Sequence, residues 1–248
     1  DLIHAQTYSA NFRQTKVLTE DIRNITGSDL KSLISSKVDV LFGGPPCQAY
    51  SVAGRARDPK GMAEDPRNHL YKYYVEFLKR YKPKMFVFEN VPGILSAKNG
   101  EYLNKIFKSV RNAGYELAIP PKKHLNAKDF GVLQDRKRVI IIGWKKEMNL
   151  KYPEFHLTEN NFQILKDLFS DLRPLKNGQG TLNAVEYFKP ATEYLRQTNI
   201  RTNLDFVTQH IARPHNENDL EIYQIAIEKW NNGDRLDYAE LPKRLIKH

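Results

Sequence analysis

Val38-Asp39-Val40-Leu41-Phe42-Gly43-Gly44-Pro45-Pro46-Cys47 is the stretch that decides how this chain is read. The apolar run 38–42 has the length and composition of a short buried strand. The glycine pair lets the backbone turn sharply, and the two prolines stiffen the loop that follows. Cys47, the only cysteine in 248 residues, therefore emerges where a strand ends, among loop formers and polar neighbours. A thiol presented in this way argues for a nucleophile. A single cysteine also excludes an internal disulfide and fits a reducing compartment.

Downstream of that loop the hydrophobic period alternates. His69–Tyr81 carries Leu70, Tyr74, Phe77, Leu78 and Tyr81 at helical spacing, and Pro83 stops it. Lys84–Glu89 reads as a second buried strand. A helix with Leu103, Ile106, Phe107 and Val110 on one face follows and ends at Gly114. Tyr115–Ile119 and Val139–Gly143 read as further strands. This alternation predicts an α/β fold with a mostly parallel sheet covered on both faces by helices. In such sheets reactive groups gather beyond the carboxyl ends of the strands. Cys47 and Glu89 both sit just past such ends.

After residue 150 the character changes. The spacing of Ile164, Leu165, Leu168, Phe169 and Leu172 predicts a helix within Leu157–Leu172, ended by Pro174. Residues 174–218 are polar and weakly periodic. Asp219–Trp230 reads as a helix capped by Asn218 or Asp219. The chain thus divides into a larger domain, 1–150, and a smaller loop-rich one, 151–248. No apolar run approaches the roughly 18 residues of a membrane span, no signal peptide is visible, and the seven histidines lack the spacing of a metal site.

The formal charge of +10 is unevenly distributed. Residues 51–150 hold 21 Lys/Arg against 10 Asp/Glu, so that segment alone carries +11 and the rest of the chain −1. Concentrated positive charge points to a polyanionic partner.

Two further motifs carry chemistry. In Phe88-Glu89-Asn90-Val91-Pro92-Gly93 a carboxylate ends an apolar strand, where partial burial beside a thiol suits a proton donor. In Gln134-Asp135-Arg136-Lys137-Arg138, extended backbone puts Gln134, Arg136 and Arg138 on one face. A planar guanidinium there suits a phosphate or a base carbonyl.

With GGPPCQAYS, FENV and Gln-x-Arg-x-Arg in this order, the chain resembles the cytosine carbon-5 DNA methyltransferases, most closely those of bacterial restriction–modification systems. The resemblance covers essentially the whole chain. It implies a Rossmann-like catalytic domain over 1–150, and a linker helix with a target-recognition region over 151–248. It makes Cys47 the nucleophile that adds to carbon 6 of the target cytosine, with Pro46 shaping the loop. Glu89 becomes the residue on ring N3 and the exocyclic amine. Arg138 contacts the base carbonyl, and Arg136 and Gln134 support that site. S-adenosyl-L-methionine is the implied cofactor, held by Asp21 and Ile22 at the adenine and by Pro45 and Leu70. Arg55, Arg57 and Lys60 match the loop that closes on DNA, and Gln48, Ser51 and Gln134 are implied as further DNA contacts.

The implied partner is double-stranded DNA with a flipped cytosine, in the bacterial cytoplasm at the nucleoid, together with a functionally matched restriction endonuclease. The full-length protein is expected to be a monomer. The family's Gly-rich cofactor loop has no counterpart before Leu2, and its final motifs none before His248. By the resemblance this reads as an internal section, expected to be inactive alone. The alternatives are a tRNA cytosine carbon-5 methyltransferase, weighed down by the sizeable segment after 150, and a non-catalytic DNA-binding fragment. A thiol hydrolase would need a histidine base, and no histidine lies in a matching motif.

Overall fold

The computed structural model describes residues 2–25, 27–31, 33–34, 37–46, 69–158, 161–201 and 206–246. The chain forms two compact units, 1–160 and 161–248. The division falls ten residues beyond the expected 150. Thr158 stays with the first unit: its N–H donates to Asp129 O at 2.9 Å, and it bridges to Phe130.

In the first unit the elements are α1 (Leu2–Asn11), α2 (Gly27–Lys31), β1 (Val40–Gly43), α3 (Tyr71–Tyr81), β2 (Met85–Asn90), α4 (Glu101–Asn112), β3 (Tyr115–Ala118), β4 (Leu125–Asn126) and β5 (Lys137–Lys145). The sheet order is β1-β2-β5-β3, with the short β4 also paired to β5. β1 and β2 are parallel, whereas β5 runs antiparallel to β2, β3 and β4. Four strands therefore share one direction and β5 alone is reversed. The α/β expectation of a mostly parallel sheet flanked by helices stands, with a mixed hydrogen-bond pattern because the reversed strand sits in the middle.

One face of the sheet buries Phe86 and Phe88 of β2 with Val139 and Ile141 of β5. Tyr74, Val75 and Leu78 of α3 and Tyr102, Ile106 and Val110 of α4 pack onto it in one cluster. Both long helices thus contribute to this face. Two aromatic edges seat Tyr74 here: its ring meets Phe88 at 5.3 Å between centroids and Phe86 at 6.1 Å, both T-shaped. Gly143 has no side chain because the Phe86 ring occupies that space. The opposite face carries the buried Ile142 and Trp144. Tyr152, beyond β5, donates to Ile140 O at 3.0 Å, and burial pushes its phenol up to about 12.

The second unit is loop-rich. It holds two minimal ribbons, β6 (Gly180–Thr181) with β9 (His210–Ile211) and β7 (Val185–Glu186) with β8 (Phe206–Val207), plus helices α5 (Glu193–Gln197) and α6 (Glu217–Asn231). The helix expected within Leu157–Leu172 reduces to one wide π-helical turn, Ile164–Leu168. Ile164 and Leu165 face water, Leu165 at 81% exposure. Local polar bonds take the backbone instead, with Asp167 accepting from Gln163 N at 2.6 Å and the Thr192 hydroxyl donating to Asp167 O. The cap of α6 is Asn216, not Asn218 or Asp219: its side chain accepts from Asp219 N at 2.9 Å. Among the described residues no helix is long and apolar enough to cross a membrane.

Candidate active site

β1 and β2 lie side by side and parallel, so the two motifs leave the sheet as neighbours. Register pairs Gly43 with Phe88, which puts Gly44 beside Glu89. The fit is tight: a methyl on Gly44 would stand 2.6 Å from Glu89 Oε2. One residue on, the buried Asn90 donates from Nδ2 to Pro45 O at 3.2 Å, while its Oδ1 accepts from Val91 N at 2.9 Å. Asn90 thereby ties the Gly-Gly-Pro-Pro turn to the strand end carrying Glu89. Its amide was not singled out in the sequence, although Asn after an acid at a strand end is a usable signal for a loop tie.

Glu89 faces the reversed strand, and Arg138 Nε lies 2.5 Å from Glu89 Oε1 in a half-buried ion pair. The N–H is not aimed along a hydrogen bond to that oxygen, so proximity of charge is what the contact supplies. Arg138 Nη1 donates to Lys137 O at 2.8 Å. Carboxylate and guanidinium together present an acceptor or acid beside a planar donor set. That combination suits a ring with adjacent N–H and C=O edges.

The shared face expected for Gln134, Arg136 and Arg138 does not extend to Gln134. Strand β5 begins at Lys137, and Gln134 N donates back to Val132 O at 2.8 Å in a turn. Gln134 and Arg136 are exposed. The cause is Asn126, buried at 5% exposure. Its Nδ2 donates to Asp135 Oδ1 at 2.8 Å and its Oδ1 accepts from Arg136 N at 3.0 Å, while Ala127 N donates to Arg136 O at 3.0 Å. These bonds set the β4–β5 register, Leu125 opposite Arg138 and Asn126 opposite Lys137. Asn126→Ala is expected to cost about 1–3 kcal/mol by stranding a buried polar set, read as a lower denaturation midpoint. An unchanged midpoint would show that the carboxamide does not hold this segment.

A cavity of about 730 Å³ opens beside the β1 end, within the roughly 300–1,000 Å³ of small-molecule sites. Leu30, Ile34, Leu41, Phe42, Pro45, Leu70, Tyr74 and Phe77 give it apolar walls, with Asp21, Ile22 and Arg23 contributing as well. All four residues expected at the cofactor, Asp21, Ile22, Pro45 and Leu70, line this one cavity. Asp21 pairs with Arg23 through two bonds to Oδ1, both 2.9 Å, and one to Oδ2 at 2.7 Å. The Arg23 side chain beside it holds the Asp21 carboxyl down at about 2. The acid thus stays ionised at any working pH, with acceptor capacity left over for one more donor. Flat apolar walls and one ionised acceptor fit an adenine ring with its amine. Cys47, Gln48, Ser51, Arg55, Arg57 and Lys60 lie outside the described residues. No group of three or more His, Cys, Asp or Glu placed to hold a metal occurs among the described ones.

The chain matches the family model for C-5 cytosine-specific DNA methylases over residues 1–247. It is 41% identical over 231 residues to the Type II methyltransferase M.Bpa9945I of Bacillus paralicheniformis, covering 86% of this chain and 51% of that protein. It is 38% identical over 224 residues to the Type II methyltransferase M.DdeI of Desulfomicrobium norvegicum, covering 88% and 51%. The chain therefore spans about half the length of the curated relatives it matches. A crystal structure of a DNA modification methyltransferase encoded within an E. coli prophage superposes with a TM-score of 0.64 at 21% identity, covering 91% of this chain and 65% of that one. At that identity the likeness speaks for the fold alone. A family model spanning nearly every residue, on a sheet that brings the Gly-Pro turn, the acid and the arginine to one end, places this chain among the C-5 cytosine-specific DNA methylases.

Proposed function

We propose that the protein containing this chain methylates carbon 5 of cytosine in duplex DNA as the modification half of a bacterial restriction–modification system. It would work in the cytoplasm on nucleoid DNA, matched in function to an endonuclease reading the same site. The observation carrying this reading is the Glu89–Arg138 pair, 2.5 Å apart, packed against the Gly44 turn that leads into Cys47.

Carbon 5 of cytosine is a poor nucleophile, so the reaction needs covalent activation. The Cys47 thiolate adds to carbon 6 of a cytosine taken out of the stack. The displaced electron pair moves toward N3, where Glu89 delivers a proton, and Arg138 holds the base carbonyl. The activated carbon 5 takes a methyl group, a base removes its proton, and elimination frees the thiolate. S-adenosyl-L-methionine, when bound, supplies the electrophilic methyl. Asp21, Ile22, Pro45 and Leu70 would hold its adenine end, and the apolar walls keep water from that end of the site. Arg55, Arg57 and Lys60, as phosphate contacts, would contribute affinity and salt dependence.

The test uses the complete gene product containing this chain, with S-adenosyl-L-methionine and duplex DNA carrying 5-fluorocytosine. Fluorine at carbon 5 blocks proton removal and traps the adduct. A denaturation-resistant protein–DNA band that disappears in Cys47→Ser is expected; no band with folded, cofactor-binding protein overturns the reading.

A further inference from the structure

Tyr74 bonds both strands that lead into the site, yet no catalytic motif contains it. It is buried at 5% exposure on α3, and its ring forms part of the cavity wall. The hydroxyl reaches through to the sheet, its single hydrogen shared between Val87 O at 2.9 Å and Leu41 O at 3.1 Å. Burial pushes the phenol well above its ordinary value, so it remains a donor. Leu41 belongs to β1 and Val87 to β2, the two strands that deliver the Gly-Pro turn and Glu89. The ring edge also lies 3.6 Å from the position a side chain on Gly43 would take, and packs T-shaped on Phe88, the residue before Glu89.

We propose that Tyr74 is a positioning residue, its hydroxyl clamping β1 and β2 near their ends at the spacing that keeps the Gly43-Gly44 turn against Glu89 of the Glu89–Arg138 pair. The role in catalysis rests on the methyltransferase reading above. The clamp itself is a statement about two strands and holds or fails without it. Three features separate the clamp from ordinary core packing. A phenylalanine would fill the same space against Phe86 and Phe88, so the ring alone does not require a hydroxyl. The hydroxyl bonds two carbonyls on different strands, which a residue merely satisfying its own polar atom has no need to do. Both carbonyls lie two residues before the turn or the acid, where a small change in strand spacing is passed directly to Gly43-Gly44 and Glu89. The tight fit of Gly44 on the Glu89 carboxylate leaves little slack to absorb it.

Tyr74→Phe in the complete protein tests this with two readouts. The first is amide hydrogen exchange without DNA over residues 41–46 and 87–90, set against 139–142 of β5 as an internal reference. Exchange in the first two segments is expected to rise at least threefold relative to the reference. The second is the 5-fluorocytosine adduct. Its rate of formation is expected to fall at least fivefold, while the dissociation constants for S-adenosyl-L-homocysteine and for DNA stay within twofold of the parent. A merely structural tyrosine would lower binding and rate together, as the cavity-forming Val75→Ala is expected to do. Unchanged exchange in the two segments overturns the clamp, whatever the adduct assay shows. Faster exchange with an unchanged adduct rate overturns its catalytic consequence. An absent adduct in the parent protein overturns the function proposed above and leaves the exchange result to decide the clamp.

Discussion

Gly44→Ala is expected to lower methyl transfer at least a hundredfold while leaving the protein folded. The added methyl would stand 2.6 Å from Glu89 Oε2, closer than real side-chain carbons come. The atom it meets is the far end of a flexible side chain, so the collision is relieved by swinging the carboxylate away and not by breaking the sheet. Backbone strain adds nothing, since Gly44 is not among the glycines with positive φ. Swinging Glu89 separates it from Arg138 Nε, now 2.5 Å away, and from the base that the pair is proposed to grip. An ångström of misplacement at a reacting group costs on the order of 10²-fold in rate. Glu89→Gln, which removes the proton but keeps the shape, is expected to lose at least tenfold, and combining it with Gly44→Ala should add little to Gly44→Ala alone. The measurement is single-turnover methylation of duplex DNA by the complete protein, alongside thermal denaturation. A Gly44→Ala protein that methylates at the parent rate would mean that Glu89 is not held where the chemistry occurs.

The contrast between what was legible in the sequence and what was not has a physical basis. Buried strands and helices announce themselves by period, and α3, β2, α4, β3 and β5 all lie within a few residues of their expected bounds. Strand direction leaves no such trace. Val139–Ile142 is as apolar as a parallel core strand, and its reversal is set by where β4 and β3 pair with it. Periodicity misled at Ile164–Leu172, because spacing describes a face and cannot say whether anything covers it; Leu165 stands 81% exposed. Glu89, Arg138, Asp21 and Leu70 could be singled out as candidates because their motifs are chemical, and the structure sets Glu89 beside Arg138 and lines one cavity with Asp21 and Leu70. Asn126 and Tyr74 could not be, since a buried amide or phenol acts through groups that are not its sequence neighbours, whereas Asn90, whose place after an acid is a usable signal, reaches back 45 residues to Pro45. Gln134 went astray for the same reason: alternation assumed an extended chain that Asn126 redirects.

In the second unit the largest effect is expected at Arg201, the guanidinium that holds three segments together. Its Nη1 donates to Asp171 Oδ2 at 3.1 Å and to Lys189 O at 2.9 Å, and its plane lies 3.7 Å over the Tyr187 ring. Both partners of the ion pair are buried, with side-chain exposures of 8% and 3%. The Asp171 carbonyl accepts from Phe188 N at 2.9 Å and Lys189 N at 3.2 Å, so the segment before the ribbons, the segment following β7 and the chain after α5 meet at one point. Removing one partner of a buried pair leaves the other charge without compensation, at a cost of about 3–5 kcal/mol. Arg201→Met should therefore unfold the second unit at markedly lower denaturant. Replacing both charges removes the uncompensated group, so Asp171→Asn with Arg201→Met should recover most of the loss, leaving about 1–2 kcal/mol for the missing hydrogen bonds. The double-mutant cycle by denaturant unfolding separates the two accounts of this cluster. A coupling near zero would mean that Arg201 acts through Tyr187 and Lys189 alone. A large coupling makes the ion pair the staple of a unit whose ribbons are only two residues long and too short to hold themselves together.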